Sequence, residues 1–387
     1  MKTLYKNAKI YDSYKKSFFT GDLLVDGERI SAVFWGGYDG KRSNYKTVDL
    51  EGAFIAPGLI DVHTHGRAGG DFVSADADML EKMSLSYLKS GVTGVFPTLA
   101  SATTEELTAA IDRIASAKAA GAINFAGVHL EGRYLNAARR GAHASHLLAA
   151  LDKDELPALI EKMHKVGHPH ISSALELDSD GSFARTALEL GATLGLAHSN
   201  ATYAEACAAF DRGAHSLTHT FNAMSPFHHR DGGAVGAGLL SPKVYCELIV
   251  DGFHVAPEAV KLAYLLKKDK LVLISDSMEA TGMPDGEYSI AGLPVTVKDG
   301  KARTHEGAIA GSTLNLIDGV KNLALFAGIT FAEALYHATL APAEMMGIEG
   351  KIGSVEQGKY ANLLVLDKDM NIKQVIFGNK VLYSDSI

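Results

Sequence analysis

Apolar and polar residues alternate in short stretches along the N-terminal segment, in TLYKNAKIYD (3–12) and DLLVDGERISAVF (22–34), with Gly and Asp between them. A period of two interrupted by turn residues predicts strands. The C-terminal segment has the same texture in YANLLVLD (360–367), NIKQVIFG (371–378) and NKVLYSD (379–385). Neither group can bury both of its faces alone. The two ends are therefore expected to pair into one small β-sandwich domain, residues 1–54 with 350–387, enclosing a continuous second domain at 55–349.

That central segment alternates apolar strand-like runs with helical patterns. The runs are GLIDVHTH (58–65), GVFPTL (94–99), FAGVHLEG (125–132), HISSALEL (170–177), TLGLAHS (193–199), SLTHTFN (216–222), VYCELIVDG (244–252) and LVLISDS (271–277). TYAEACAAFDRGA follows the fifth with Thr202 placed to cap a helix, and PEAVKLAYLLKK follows the seventh with proline near the helix start. Further helices are expected after Thr313 and Thr330. Eight strands alternating with helices predict an α/β fold, a (β/α)8 TIM barrel. No GxGxxG fingerprint follows the first strand, which argues against an open dinucleotide-binding sheet.

Composition narrows the function classes. The chain has 387 residues, 47% of them hydrophobic and 21% charged, with 39 glycines and a formal net charge of -8. The balance suits a well-buried enzyme and lacks the basic footprint that binding DNA or RNA requires. Cys207 and Cys246 have no metal-ligand spacing and read as core thiols. The N-terminus lacks the apolar run of a signal peptide, and no stretch approaches a bilayer span. A cytoplasmic, membrane-free location is the expectation.

In such a barrel the active site lies at the C-terminal ends of the strands. His63 and His65 end the first strand, Glu131 the third, His198 the fifth, His219 the sixth and Asp276 the eighth. Residues two apart on a strand point the same way, so the HTH at 63–65 aims both imidazoles at one point. Each residue alone fits an ordinary hydrogen-bonding role, but six ligand-type residues at one end of five strands point to a metal site. Nitrogen and oxygen donors without thiolate suit a divalent metal: zinc first, with iron, cobalt or manganese as alternatives.

PGLIDVHTHG, HLEG, GLAHSNATY, THTFNAMSP, DGFHV, LISDSMEATGMPDG and KIGSVEQGKYANLLVLD together resemble the amidohydrolase superfamily, and within it the N-acetylglucosamine-6-phosphate deacetylases, over effectively the whole chain. The resemblance implies that Glu131, His198 and His219 are the principal metal ligands and that His63 and His65 belong to a second metal in members retaining the HxH. One or two ions per subunit are both compatible with the sequence. Asp276 corresponds to the catalytic carboxylate and His254 to a substrate-contacting histidine that helps polarise the carbonyl. Ala142, His143, Asn222, Ala223, Ile309, Ala310 and Gly311 match substrate-contacting positions.

Arg230 matches the residue that grips the phosphate, for which a forked guanidinium is suited. In the family that arginine is supplied by a neighbouring subunit, which implies a homodimer. The implied reaction is hydrolysis of N-acetylglucosamine 6-phosphate to glucosamine 6-phosphate and acetate in amino-sugar catabolism. Its galactosamine epimer, or another N-acyl amino-sugar phosphate, is the alternative substrate. Arg133 stands where the family has proline, either as loop variation or as a cation near the site that changes which sugar fits. Cyclic amide hydrolysis is disfavoured because HISSALELD lacks the lysine of dihydroorotase-like members. Deamination is disfavoured by HLEG with THTFNAM, and a non-catalytic sugar-phosphate sensor by retention of Asp276.

Overall fold

The computed structural model describes residues 2–40, 45–121, 124–378 and 380–384. Positions 1, 41–44, 379 and 385–387 of the expected small domain and 122–123 of the expected barrel lie outside the described residues. Eight strands form one sheet whose neighbours follow chain order: Leu59–Thr64, Val92–Leu99, Gly127–Glu131, His168–Ser173, Thr193–Leu196, Ala214–Leu217, Tyr245–Ile249 and Leu271–Ile274. Every adjacent pair is parallel. The first and last strands meet where the Asp276 N–H donates to the His63 carbonyl at 2.9 Å. Beneath that contact, Ser275 donates to Asp61 through its hydroxyl at 2.5 Å and its N–H at 3.2 Å. The barrel predicted from the alternation of strands and helices is the observed fold.

Local chemistry starts the connecting helices where the sequence places them. Thr103, Thr202 and Thr330 each accept from the backbone of a Glu three residues on, and that Glu accepts from the threonine N–H in return. Such reciprocal caps satisfy N–H groups that a helix start leaves unpaired, at about 1 kcal/mol each. The helix Thr104–Ala119 buries Leu107, Ile111 and Ile114 on one face, the spacing that packs a helix onto a sheet.

Strands from both ends of the chain join in a second sheet. In it Leu363–Leu366 pairs with Phe54–Pro57, which in turn pairs with the long first strand Lys2–Asp12. That first strand shifts register between Tyr5 and Ala8 and takes Lys46–Asp49 on its first half and Phe54–Pro57 on its second. Tyr5, Ile10, Leu23, Ile55, Leu363 and Ile376 form the core of this sheet.

Two local expectations change. HISSALEL ends as a strand at Ser173, and Leu175–Leu177 is a short 3-10 helix. After the eighth barrel strand the chain inserts a three-stranded antiparallel sheet, Gly286–Ile290, Leu293–Lys298 and Lys301–Thr304, which the helical outline had passed over. Its apolar positions Ile290, Val295, Val297 and Ala302 face one small core.

Candidate metal centre and active site

The barrel interior beneath the strand ends is polar. His129, His170, Ser172, Thr218 and Glu247 are all fully buried, and they are joined by short contacts such as His129 Nε2 to Ser172 Oγ at 2.8 Å. Above this layer the six candidate ligands converge in two groups, His63 with His65 and Asp276, and Glu131 with His198 and His219. Glu131 joins them. Its Oε1 lies 2.8 Å from His219 Nε2 and 3.3 Å from His198 Nε2, while its Oε2 lies 3.0 Å from His65 Nε2 and 3.3 Å from His63 Nε2. Asp276 Oδ1 faces His65 and His63 at 3.3 and 3.5 Å.

This donor set fits a divalent cation. The Nε2 atoms approach each other to 3.1 Å between His198 and His219 and to 3.4 Å between His63 and His65. Two imidazole nitrogens that close share at most one proton, whereas a cation between them accepts both lone pairs. Two of the outer nitrogens support the same orientation, His198 Nδ1 donating to the Arg139 carbonyl at 2.8 Å and His63 Nδ1 facing Glu247 Oε2 at 3.4 Å, whereas those of His65 and His219 have no hydrogen-bond partner among the described residues. Those contacts leave Nε2 as the ligating atom.

The electrostatics agree. Burial pushes the Asp276 carboxyl up, but the charges on His63 and His65 outweigh it and hold it at about 2. Burial lowers His65, yet Asp276 and Glu131 raise it to about 9. The carboxylates therefore call for positive charge at the point where the imidazole nitrogens meet, and a metal ion supplies it without protonating a ligand.

Four of these residues, His65, His198, His219 and Asp276, lie just beyond their strands rather than on them. His198, His219 and Asp276 have φ of 44°, 32° and 49°. The left-handed region costs a non-glycine residue on the order of 1–3 kcal/mol, strain that a packed functional site sustains. The turn at the strand end is thus what aims each ligand inward.

A cavity of about 390 Å³ opens over the cluster, within the range of small-molecule sites. His65, Glu131, His198, His219 and Asp276 line it together with Ala142, His143, Asn222, Ala223, His254, Ile309 and Gly311. His63 lies below, fully buried. Ala310 packs instead into the core of the inserted sheet, which brings Ile290 and Ala291 to the cavity wall. His143 Nδ1 accepts from the Ser101 N–H at 3.3 Å, so its remaining proton sits on Nε2. Burial, with the charge of His198, lowers His143 to about 3 and keeps it neutral.

Arg230 is not brought to this cavity within the chain. It is exposed, on a tight surface turn where His228 and Asp231 pair and its N–H donates to His228 Nδ1 at 3.3 Å. Arg133 also points elsewhere: its Nη1 donates to Thr104 Oγ1 at 2.6 Å and its Nη2 lies 3.5 Å from Glu155 Oε1. Of the two readings of Arg133, loop variation and a cation near the site, the geometry favours loop variation, since the side chain pairs with Thr104 and Glu155.

Arg139, Glu247 and Asp251 belong to the site although the sequence pattern does not nominate them. Arg139 lines the cavity four residues before His143. Glu247 is a carboxylate inside the apolar strand YCELI, and that misfit was its signal. Asp251 Oδ2 accepts from His254 Nδ1 at 2.7 Å, leaving the other ring nitrogen for the cavity.

Comparisons with known proteins place this geometry. The chain is 37% identical over 331 residues to an N-acetylgalactosamine-6-phosphate deacetylase of Escherichia coli O157:H7, covering 84% of this chain and 87% of the relative. It is 35% identical over 357 residues to an N-acetylglucosamine-6-phosphate deacetylase of Vibrio furnissii, covering 89% of this chain and 87% of that one. The crystal structure of N-acetylglucosamine-6-phosphate deacetylase from Pasteurella multocida superimposes with a TM-score of 0.91 at 31% identity, over 98% of this chain and 99% of that one. The family model of the Amidohydrolase family matches residues 54–382, and the chain, with its barrel-end histidines and carboxylates, belongs to that family.

Proposed function

We propose that this enzyme removes the N-acetyl group of N-acetylglucosamine 6-phosphate, giving glucosamine 6-phosphate and acetate. The observation that carries the reading is the placement of Asp276, on the cavity wall and within 3.5 Å of both His63 and His65, next to a carboxylate shared by two histidine pairs. The chemistry a divalent ion supplies when bound is polarisation of a carbonyl and acidification of water, from 15.7 toward about 7. Zinc suits the donor set.

Asp276 takes the proton of the attacking water at a carboxylate oxygen and returns it to the nitrogen as the C–N bond breaks, so that a neutral amine leaves. His254 polarises the acetamide oxygen by donating from Nε2 as an imidazolium, its Nδ1–H held by the Asp251 carboxylate. His143 donates from Nε2 to a sugar hydroxyl. Asn222 and the backbone of Ala223, with the wall from Ile309 to Gly311, orient the sugar. Arg230, exposed on its own chain, reaches phosphate in a neighbouring copy within a cytoplasmic homodimer.

N-acetylgalactosamine 6-phosphate is the second reading, favoured by the relative at 37% identity. The two sugars differ at one hydroxyl, a distinction set by a few wall contacts. The test incubates metal-loaded protein with each phosphorylated sugar and with unphosphorylated N-acetylglucosamine and measures free amine. Release from N-acetylglucosamine 6-phosphate above its epimer supports the first reading, and the reverse order supports the second. No release from any of the three rejects both, and equal release with and without phosphate rejects the role of Arg230.

A further inference from the structure

A second cavity, of about 400 Å³, shares no wall residue with the catalytic one and is lined by Arg67, Lys89, Lys321, Ser86, Ser90 and Asn315. Among the described residues its wall carries no carboxylate. Arg67 is only 5% exposed, and its side-chain hydrogen bonds go to neutral groups. Nε donates to Ser86 Oγ at 2.9 Å, Nη1 to Ser90 Oγ at 2.9 Å and Nη2 to Asn315 Oδ1 at 3.0 Å. Lys321 Nζ likewise donates to a neutral oxygen, Asn371 Oδ1, at 2.9 Å. Asp318 lies against the Asn315 amide at 3.5 Å and Asp367 against the Asn371 amide at 3.3 Å, and Asp61, without a hydrogen bond to the guanidinium, is the carboxylate whose charge acts on Arg67.

A guanidinium this buried is costly without an anion, since hydroxyls and amides offset only part of the lost hydration. Asn315 precedes the helix Leu316–Ala327 but makes no side-chain capping bond to it, its oxygen being engaged by Arg67. Asp318 in the first turn of that helix offsets its positive end, so the charge offered to the cavity is that of Arg67, Lys89 and Lys321, and Ile317 of the helix adds an apolar wall. Ile372, from the C-terminal strand Ile372–Phe377, supplies a second apolar surface.

We propose that this cavity binds a phosphomonoester, with the phosphate held by Arg67, Lys89 and Lys321 and the organic body resting against Ile317 and Ile372. Because the Tyr87 ring lies 4.8 Å under the Arg67 guanidinium and its hydroxyl donates to the Gly66 carbonyl at 3.2 Å, occupancy braces the turn that follows His65.

The test is calorimetric titration of the metal-loaded full chain with phenyl phosphate and with inorganic phosphate, at ionic strength fixed with chloride. Phenyl phosphate is expected to bind the wild type and to bind Lys89→Gln/Lys321→Gln at least tenfold more weakly, with Lys89→Arg/Lys321→Arg restoring affinity. Turnover of the double glutamine variant without added phosphate should match the wild type. Equal phenyl phosphate affinity in the wild type and the glutamine variant would overturn the site. Inorganic phosphate binding as tightly as phenyl phosphate would overturn the assignment to a phosphomonoester and leave a bare oxyanion. Loss of binding in the arginine variant as well would show that charge is not what holds the ligand, and would overturn the proposal.

Discussion

Glu247 gives the sharpest test of how the barrel interior supports the metal centre. Its carboxylate is fully buried on the strand Tyr245–Ile249, with Oε2 3.4 Å from His63 Nδ1 and Oε1 3.7 Å from His170 Nε2. Burial raises this carboxyl, but contacts with His170 and His63 outweigh it and hold it at about 2, so the group is a carboxylate at neutral pH. Glu247→Gln keeps the volume and one acceptor but removes the charge that orients the His63 ring and raises its basicity. Losing such an outer partner of a ligating histidine weakens metal binding by about 10–100-fold, or about 1.4–2.7 kcal/mol. Because Glu247 does not line the substrate cavity, the metal-saturated variant should turn over within a few-fold of the wild type. The assay titrates metal-free protein with zinc against a competing chelator and then measures turnover at saturating zinc. Zinc affinity within twofold of the wild type would refute the reasoning, as would turnover that stays a hundredfold low after saturation.

Asp276→Asn should retain metal but lose about 10²–10⁴-fold in kcat, the range for a positioned proton-transfer group, and near-normal turnover would show that the shuttle is elsewhere. Asp251→Asn should cut kcat by on the order of 10² by removing the carboxylate that orients His254 and stabilises its cationic form, without changing metal content measured by atomic absorption. His337 is buried and lowered to about 4, mainly by burial, with its Nδ1–H donating to the Leu271 carbonyl at 2.8 Å. A histidine whose folded value lies below its unfolded one binds protons preferentially when unfolded, so this contribution is intact above about pH 6.5 and is lost as pH falls toward 4. Urea midpoints should drop between pH 7 and pH 5, with a shallower slope in His337→Gln, and equal slopes would reject the assignment.

The residues themselves determined the barrel and nominated the six candidate ligands that it brings together. Period and punctuation located eight strands because a strand buried on both faces must be a short apolar run, and the histidines and carboxylates stood out as chemically costly where those runs end. The inserted sheet was legible too, in the alternation of LPVTVK and the turn at Asp299–Gly300, between the eighth strand and the helix expected after Thr313. Tertiary structure alone decided what each polar residue faces. It split the Glu131 carboxylate between two histidine pairs, turned Arg133 out to Glu155, left Arg230 on the surface and placed Arg139 on the cavity wall. It also buried Arg67 among hydroxyls with no carboxylate on the wall. The physical reason is that hydrophobic periodicity is a local property of the chain, whereas a charged side chain takes its role from partners tens or hundreds of residues away, which meet only when the barrel closes.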